Sequence, residues 1–370
     1  MPFFVGPGSS PEGGLEMKSD RVGIPTATSD PASAVLGDVY MHTVGAGATM
    51  KLYNGSEFIA VGGDADSPIS VSYLVIAGGG GGGRGRGGGG GAGGYRTNYA
   101  SETPGGPGTS TEAAFTIELS TNYPVQIGAG GVAGPGMDKR GFQGGPSIFS
   151  TITSVGGAGG GAAYQPISRD TEGATYEGGS GGGGAGQVNT PATDKGHGSS
   201  AVSPSSSPPH VVQGHNGGDA TPDTGNDGTG GGGAGAAGQD GQGGDGGAGK
   251  ASSITGSSVT RGGGGGGGGD DASGNGGSGG GGNGSTGASD PGTHATGGGG
   301  GGSKFNHAAG RGGTGIVILR YPNAYTIANP GGGLTLSTST TGSDRVTQIT
   351  HPSPTAVVPD GNATGNISWS

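Results

Sequence analysis

Val71-Ser72-Tyr73-Leu74-Val75-Ile76-Ala77 runs without a break into Gly78-Gly79-Gly80-Gly81-Gly82-Gly83, and the fold turns on how this stretch is read. Its first half is a short apolar run rich in β-branched residues and reads as a strand. Its second half has no side chains, so only backbone can build structure there. A matching apolar run, Gly315-Ile316-Val317-Ile318-Leu319-Arg320-Tyr321, leaves a glycine-rich region far downstream. Glycine-rich, weakly hydrophobic chains usually fail to offset the entropy of ordering and behave as linkers. A linker, however, has no need of matched apolar ends.

Between those ends lie further runs at Gly87–Gly91, Gly181–Gly184, Gly230–Gly233, Gly262–Gly269, Gly279–Gly282 and Gly297–Gly302, within a total of 103 glycines in 370 residues. Collagen requires glycine at every third position with abundant proline, whereas here glycine stands in blocks and proline totals 23. An ordinary sheet is weakened by interior glycine and would have nothing to pack on its faces. The remaining ordered state is an extended threefold helix like polyproline II, rising about 3.1 Å per residue. Glycine keeps its N–H, so such helices can bond sideways to one another, and without Cβ atoms they approach closely enough for Cα–H···O contacts. Gly262–Gly269 would then be a rod of roughly 25 Å. Fixing a residue costs about 1–2 kcal/mol, while a net hydrogen bond returns roughly 0.5–1.5 kcal/mol. A bundle of rods therefore needs strands at its ends to align it and exclude water.

Composition narrows the classes. Only 28% of residues are apolar and 5% aromatic, which excludes a large oily core. A net charge of -10 argues against a nucleic-acid partner, because phosphate contacts need clustered Lys and Arg. The absence of cysteine removes disulfides and thiolate metal sites. The first residues lack the basic and long apolar regions of a secretory signal, and no segment approaches the about 20 apolar residues of a membrane span. Membrane insertion is therefore not expected.

Four regions follow. Residues 1–34, rich in Pro, Ser, Gly and charge, read as an extended arm. Residues 35–63 read as a small β-hairpin module in which Asn54-Gly55, flanked by apolar runs, signals a type I′ turn. Residues 71–321 form the glycine-rich domain, with further strands expected at 113–119, 123–127, 147–150 and between 251 and 259. Residues 322–370 read as a polar β or irregular tail whose sole tryptophan, Trp369, is either a packed anchor or part of a frayed end. The fold class expected is mainly β and irregular: short strands bracketing a bundle of polyglycine-II helices, preceded by a hairpin module.

Glycine abundance also manufactures motifs. The nucleophile-elbow pattern G-x-S-x-G occurs at Gly178–Gly182 and Gly276–Gly280, but neither follows an apolar strand. A near P-loop at Gly244–Lys250 has Ala251 where the Ser or Thr that holds magnesium belongs. A calcium-repeat fragment touches Gly265–Asp270, with Asp240 and Asp245 in similar surroundings, yet no nine-residue period supports it. No catalytic residue, cofactor or metal site is therefore expected. Tyr95, Arg96, Tyr99, Tyr164 and Tyr176 lie just beyond glycine runs, where tyrosine suits contact with sugar or protein, or else caps the rods by packing. His197, His210 and His215, in the Pro- and Ser-rich stretch from about 165 to 225, join them as loop histidines and candidate receptor contacts.

The frame Ser72–Gly78 into glycine, then Gly91-Ala92-Gly93-Gly94-Tyr95-Arg96, Tyr123–Gly131 and Gly312–Tyr321, resembles the glycine-rich domain of virion fibre proteins of marine tailed phages. It is similar in principle to the polyglycine-II sandwich at the tips of T-even-like phage fibres. The resemblance implies a noncatalytic virion component made in the host cytoplasm and commonly trimeric. Its partners would be other virion proteins, reached through residues 1–34, and a host surface glycan or outer-membrane protein, reached through loops. A capsid decoration fibre without a receptor and a secreted calcium-dependent repeat protein are the alternatives.

Overall fold

Val71–Ile76 and Ile316–Tyr321 are neighbouring strands, as their matched apolar composition predicts. The structure, a computed structural model, describes residues 16–18, 21–23, 26–27, 32–44, 47–53, 55–60, 69–108, 110–137, 139–163, 178–186, 212–220, 226–358 and 361–370. Among these residues there is no α-helix, and the protein is mainly antiparallel β-structure with irregular regions. The chain divides into two compact units, Met1–Ile69 and Ser70–Ser370.

The first unit holds β1 (Glu16–Lys18), β2 (Arg21–Gly23), β3 (Thr26–Ala27), β4 (Val39–Val44), β5 (Gly47–Tyr53) and β6 (Phe58–Ala60). Strands β3 to β6 form one sheet in chain order. The turn after β5 is longer than Asn54-Gly55 predicts. Tyr53 pairs with Phe58, so residues 54–57 form a four-residue loop, and Asn54 itself lies outside the described residues. The two rings meet with centroids 5.0 Å apart, a cross-strand aromatic contact that favours this register.

The second unit carries β7 (Ile69–Ile76), β8 (Tyr95–Thr97), β9 (Phe115–Ile117), β10 (Tyr123–Ile127), β11 (Ser147–Phe149), β12 (Ile152–Ser154), β13 (Lys250–Ser252), β14 (Val259–Arg261), β15 (Ile316–Pro322), β16 (Ile327–Ala328), β17 (Thr335–Thr341), β18 (Asp344–Thr350) and β19 (Ala363–Trp369). One sheet has the order β17-β18-β15-β7-β8 with β9 also on β7, and a second has the order β12-β11-β10-β19-β16. Aromatic rings join them: Tyr73 of β7 meets Phe149 of β11, and Tyr321 of β15 meets Trp369 of β19 edge-on at 5.9 Å. The opposite face of the first sheet presents Leu74, Ile76, Ile316 and Ile318 to Tyr95, Ala234 and Ile254. β7 and β15 are thus covered on both faces, which explains their unbroken apolar runs.

The segment beyond Pro322, expected as a polar tail, is part of this frame. β18 lies between β17 and β15, and β19 lies between β10 and β16, so both sheets depend on it. Trp369 is fully buried against Tyr123, Phe149 and Tyr321, which selects the packed-anchor reading over the frayed end.

The glycine runs leave the sheets as rods whose hydrogen-bond partners repeat every third residue. In Gly78–Gly83 the amides of Gly78 and Gly81 donate to Gly145 and Phe142, those of Gly79 and Gly82 to Gly313 and Gly310, and those of Gly80 and Gly83 to Gly91 and Gly88. Its carbonyls accept from three other segments: Gly131 and Gly134, Gly157 and Gly160, and Gly300 and Ser303. One run therefore has six neighbours, three that accept its N–H groups and run antiparallel to it, and three that donate to its C=O groups and run parallel. A partner direction that returns after three residues is the signature of a threefold extended helix of the polyglycine-II type. Gly263–Gly268 likewise has six neighbours, donating to 279–282, 244–247 and 87–90 and accepting from 299–302, 274–277 and 228–231, but here 279–282 and 299–302 run parallel to it and the other four antiparallel. In these two runs every donor and acceptor is used without a side chain, so both satisfy the rule that buried backbone groups be paired.

Candidate functional site

Because Gly78 begins beside β7 and the chain turns back at Arg84-Gly85-Arg86 before reaching β8, the lattice has a sheet end and a far end. Ala163, the last described residue before 164, donates its amide to the Gly85 carbonyl. Gly186, the last before 187, donates to the Arg86 carbonyl. Ala163 and Gly186 therefore both lie beside the Arg84–Arg86 turn, while Gly178 and Val212, the described residues that follow 164–177 and 187–211, start rods at the sheet end. Gly179 donates to Gly156, and Gln213 accepts from Tyr95.

Side chains brace the far end. Arg86 takes a positive φ of 53° after Gly85 at 82°, which turns its side chain across the rods. Its Nε and Nη2 donate to Asp270 Oδ2 at 2.9 and 2.7 Å, and its guanidinium lies 4.7 Å from the Phe305 ring centroid. Lys304 Nζ stands 3.7 Å from the other Asp270 oxygen. Asp227, fully buried, accepts the Asp271 amide at 3.0 Å through Oδ1, while its Oδ2 has no partner. Ser303 Oγ donates to the His307 carbonyl at 2.9 Å, closing the loop after the Gly297–Gly302 rod. The sequence signal for this brace is the Arg-Gly-Arg interruption between two glycine runs, which marks a turn but not its ionic partners 184 residues away.

The candidate contacts that can be placed lie at the sheet end instead. Tyr95 is fully buried in the apolar cluster, so it caps the rods by packing and offers no surface to a receptor. Burial, and then the Glu102 carboxylate, hold its phenol well above the ordinary tyrosine range. Arg96 is held by Glu112 through its Nε and Nη2 and donates through Nη1 to the Thr153 carbonyl. Glu112 also accepts from Tyr73, whose phenol is raised by burial and then by that carboxylate. The Tyr99 hydroxyl accepts from Arg320 Nη1 at 2.9 Å, with the guanidinium 5.3 Å from its ring centroid. Arg96 and Tyr99 thus spend their polar groups on internal partners.

His215 sits in a rod, its amide donating to Gly233 and its carbonyl accepting from Gly181, and burial followed by Lys250 lowers its pKa. Tyr164, Tyr176, His197 and His210 lie outside the described residues.

The glycine motifs are lattice segments. Ser180 of the first G-x-S-x-G is fully buried, and its amide donates to Ala92. In the P-loop-like stretch the amides of Gly244, Gly246, Gly247 and Gly249 donate to Gly228, Asn275, Gly231 and Ser278, so those four donors are not free to cradle a phosphate. Asp240 and Asp245 act as acceptors for the amides of Asp219 and Asn275.

The model of a family described as a glycine-rich domain matches residues 64–322, from the link before β7 to the end of β15. No curated protein matches the chain.

Proposed function

The chain belongs to the glycine-rich domain family, and from that premise we propose that it is a noncatalytic fibre or adhesin of a tailed-phage virion. The rod lattice is its stiff spacer, and the segments 164–177 and 187–211 are its recognition loops. One observation supports this reading: Ala163 and Gly186, the described residues that precede the two segments, bond to the braced Arg84–Arg86 turn at the end opposite the sheets, while Gly178 and Val212, which follow them, lie at the sheet end. A scaffold whose interior is saturated with its own hydrogen bonds tolerates long insertions at its surface, because extra loop length adds little closure entropy. Residues 1–34 attach the protein to other virion components, and a host surface glycan or protein is the ligand. The protein acts as a homo-oligomer.

The test uses fluorescently labelled full-length chain added to bacterial cells before phage challenge. Binding that blocks adsorption, and that disappears when 187–211 is replaced by a Gly-Ser segment of equal length with the melting curve unchanged, supports the adhesin. Undiminished binding by the loop-replaced protein sinks the assignment of recognition to that loop. Labelled antibody decorating capsids rather than tails, with no cell binding, would establish the capsid decoration fibre in its place.

A further inference from the structure

β17 forms one edge of the six-stranded sheet and, among the described residues, pairs only with β18. Ser337, Thr338, Ser339 and Thr340 are exposed on successive positions, so both faces of the strand are bare through its middle. The strand contributes little to the core of its own chain. At the other margin β8 is not open: the Tyr95 amide donates to Gln213, and Tyr95 and Thr97 are fully buried.

The hairpin register says which groups the open edge presents. Thr341 pairs with Asp344 across the two-residue loop Gly342-Ser343, so that pair closes the turn by hydrogen bonds, as do the alternate pairs Ser339–Val346, Ser337–Gln348 and Thr335–Thr350. Leu336, Thr338 and Thr340 then occupy the other positions, and their N–H and C=O groups point away from β18. The Thr338 and Thr347 hydroxyls, 2.8 Å apart, agree with this, since side chains approach most closely across such pairs.

Open edges are ordinarily guarded by lysine, proline, a bulge or an inward charge. Thr335-Leu336-Ser337-Thr338-Ser339-Thr340-Thr341 has no charge and no proline, in a chain of net charge -10. It is also nearly a palindrome about Thr338, with Ser337 and Ser339 flanking it and threonine at both ends. We infer that β17 is a self-association edge, pairing antiparallel with β17 of a second copy about a twofold axis at Thr338. In that register Thr338 faces Thr338, Leu336 faces Thr340, and the three outward residues of each copy exchange both backbone hydrogen bonds with their opposites. Opposed Thr and Ser side chains add favourable cross-strand contacts. No like charges meet at this edge, whereas most other surfaces of an acidic protein would oppose their own copies. A self-paired edge is isologous and closes after two copies, so this contact makes a dimer rather than the trimer that the resemblance implies. The inference does not depend on receptor binding.

Sedimentation of the full-length chain tests it. Wild type is expected at the dimer mass. Thr340→Pro removes an outward N–H that has no partner among the described residues, and it should give monomer whose melting temperature equals that of wild type diluted to monomer. Thr338→Lys and Thr338→Glu place like charges opposite each other at the axis, so each alone should be monomeric. An equimolar mixture of the two should restore a one-to-one dimer. The inference is overturned by wild type that sediments as monomer at every concentration, or by an oligomer whose mass Thr340→Pro and Thr338→Lys leave unchanged.

Discussion

The carbonyl oxygen of Ala158 occupies the place where a Cβ on Gly80 would stand. The same holds along that rod, where Gly79 faces the Gly298 carbonyl and Gly83 the Gly161 carbonyl. Glycine is required here by close approach on every side, since a rod with six neighbours has no direction in which a methyl group fits.

Gly80→Ala should therefore destabilise the protein by on the order of 4 kcal/mol or more, in the range reserved for major core disruption. Gly108 is the control. Its Cβ would meet nothing within 4 Å, and its φ lies outside the left-handed region. Gly108→Ala should be neutral or stabilise by about 0.4–1 kcal/mol, through a narrower unfolded ensemble. Thermal denaturation of both variants checks the contrast, and equal melting temperatures would contradict the lattice.

The longest unbroken glycine runs in the sequence mark enclosed rods. Gly78–Gly83 and Gly262–Gly269 are unbroken because they are surrounded. The rod 139–145 is interrupted, with Gly141 and Gly144 set three apart against the carbonyls of Gly81 and Gly78 while Phe142 between them is 52% exposed. Strands β7, β10, β11 and β15 were legible for a different reason, as apolar β-branched runs. β19 was not, because Ala363-Thr364-Gly365-Asn366-Ile367-Ser368-Trp369 carries glycine and asparagine and becomes a strand through its pairing with β10. Of the candidate contacts, Tyr95 is buried rather than presented, because proximity to a glycine run does not tell which end of a rod a residue occupies. Tyr95 and Arg96 follow a run that ends at the sheets, whereas Arg86 precedes it at the far end.

Arg86→Ala should loosen the far end without unfolding the sheets. It removes two hydrogen bonds to Asp270 and the stacking on Phe305, and leaves the Asp270 carboxylate, whose side chain is 20% exposed, with only Lys304. The expected loss is about 1–3 kcal/mol. Hydrogen exchange of the Gly186 amide, which donates to the Arg86 carbonyl, should accelerate while the β7–β15 ladder stays protected. Uniform acceleration in both places would show that the brace is not local.

Trp369→Ala should cost about 3–5 kcal/mol, the range for deleting a large buried aromatic. The indole is enclosed by Tyr123 at 5.5 Å, Tyr321 at 5.9 Å and Phe149 at 6.4 Å. As the chain has one tryptophan, native emission should be blue-shifted and should move red in a single step with loss of the sheets. A red-shifted native spectrum would place the indole in water and remove the anchor.

Acid should destabilise the fold through His294. Burial, followed by the neighbouring His351, lowers its pKa from the ordinary 6.5, and its Nδ1 lies 2.7 Å from the Thr314 hydroxyl. A group whose folded pKa is depressed binds fewer protons folded than unfolded at pH between the two values. Its contribution is therefore intact above pH 6.5 and is lost as pH falls through the folded pKa. The burial-lowered pKa of His215 acts in the same direction. Melting temperature should fall between neutral pH and about pH 5. His294→Gln, which cannot take up a proton, should flatten part of that fall. A slope in the variant as steep as in the wild type would move the acid sensitivity away from His294.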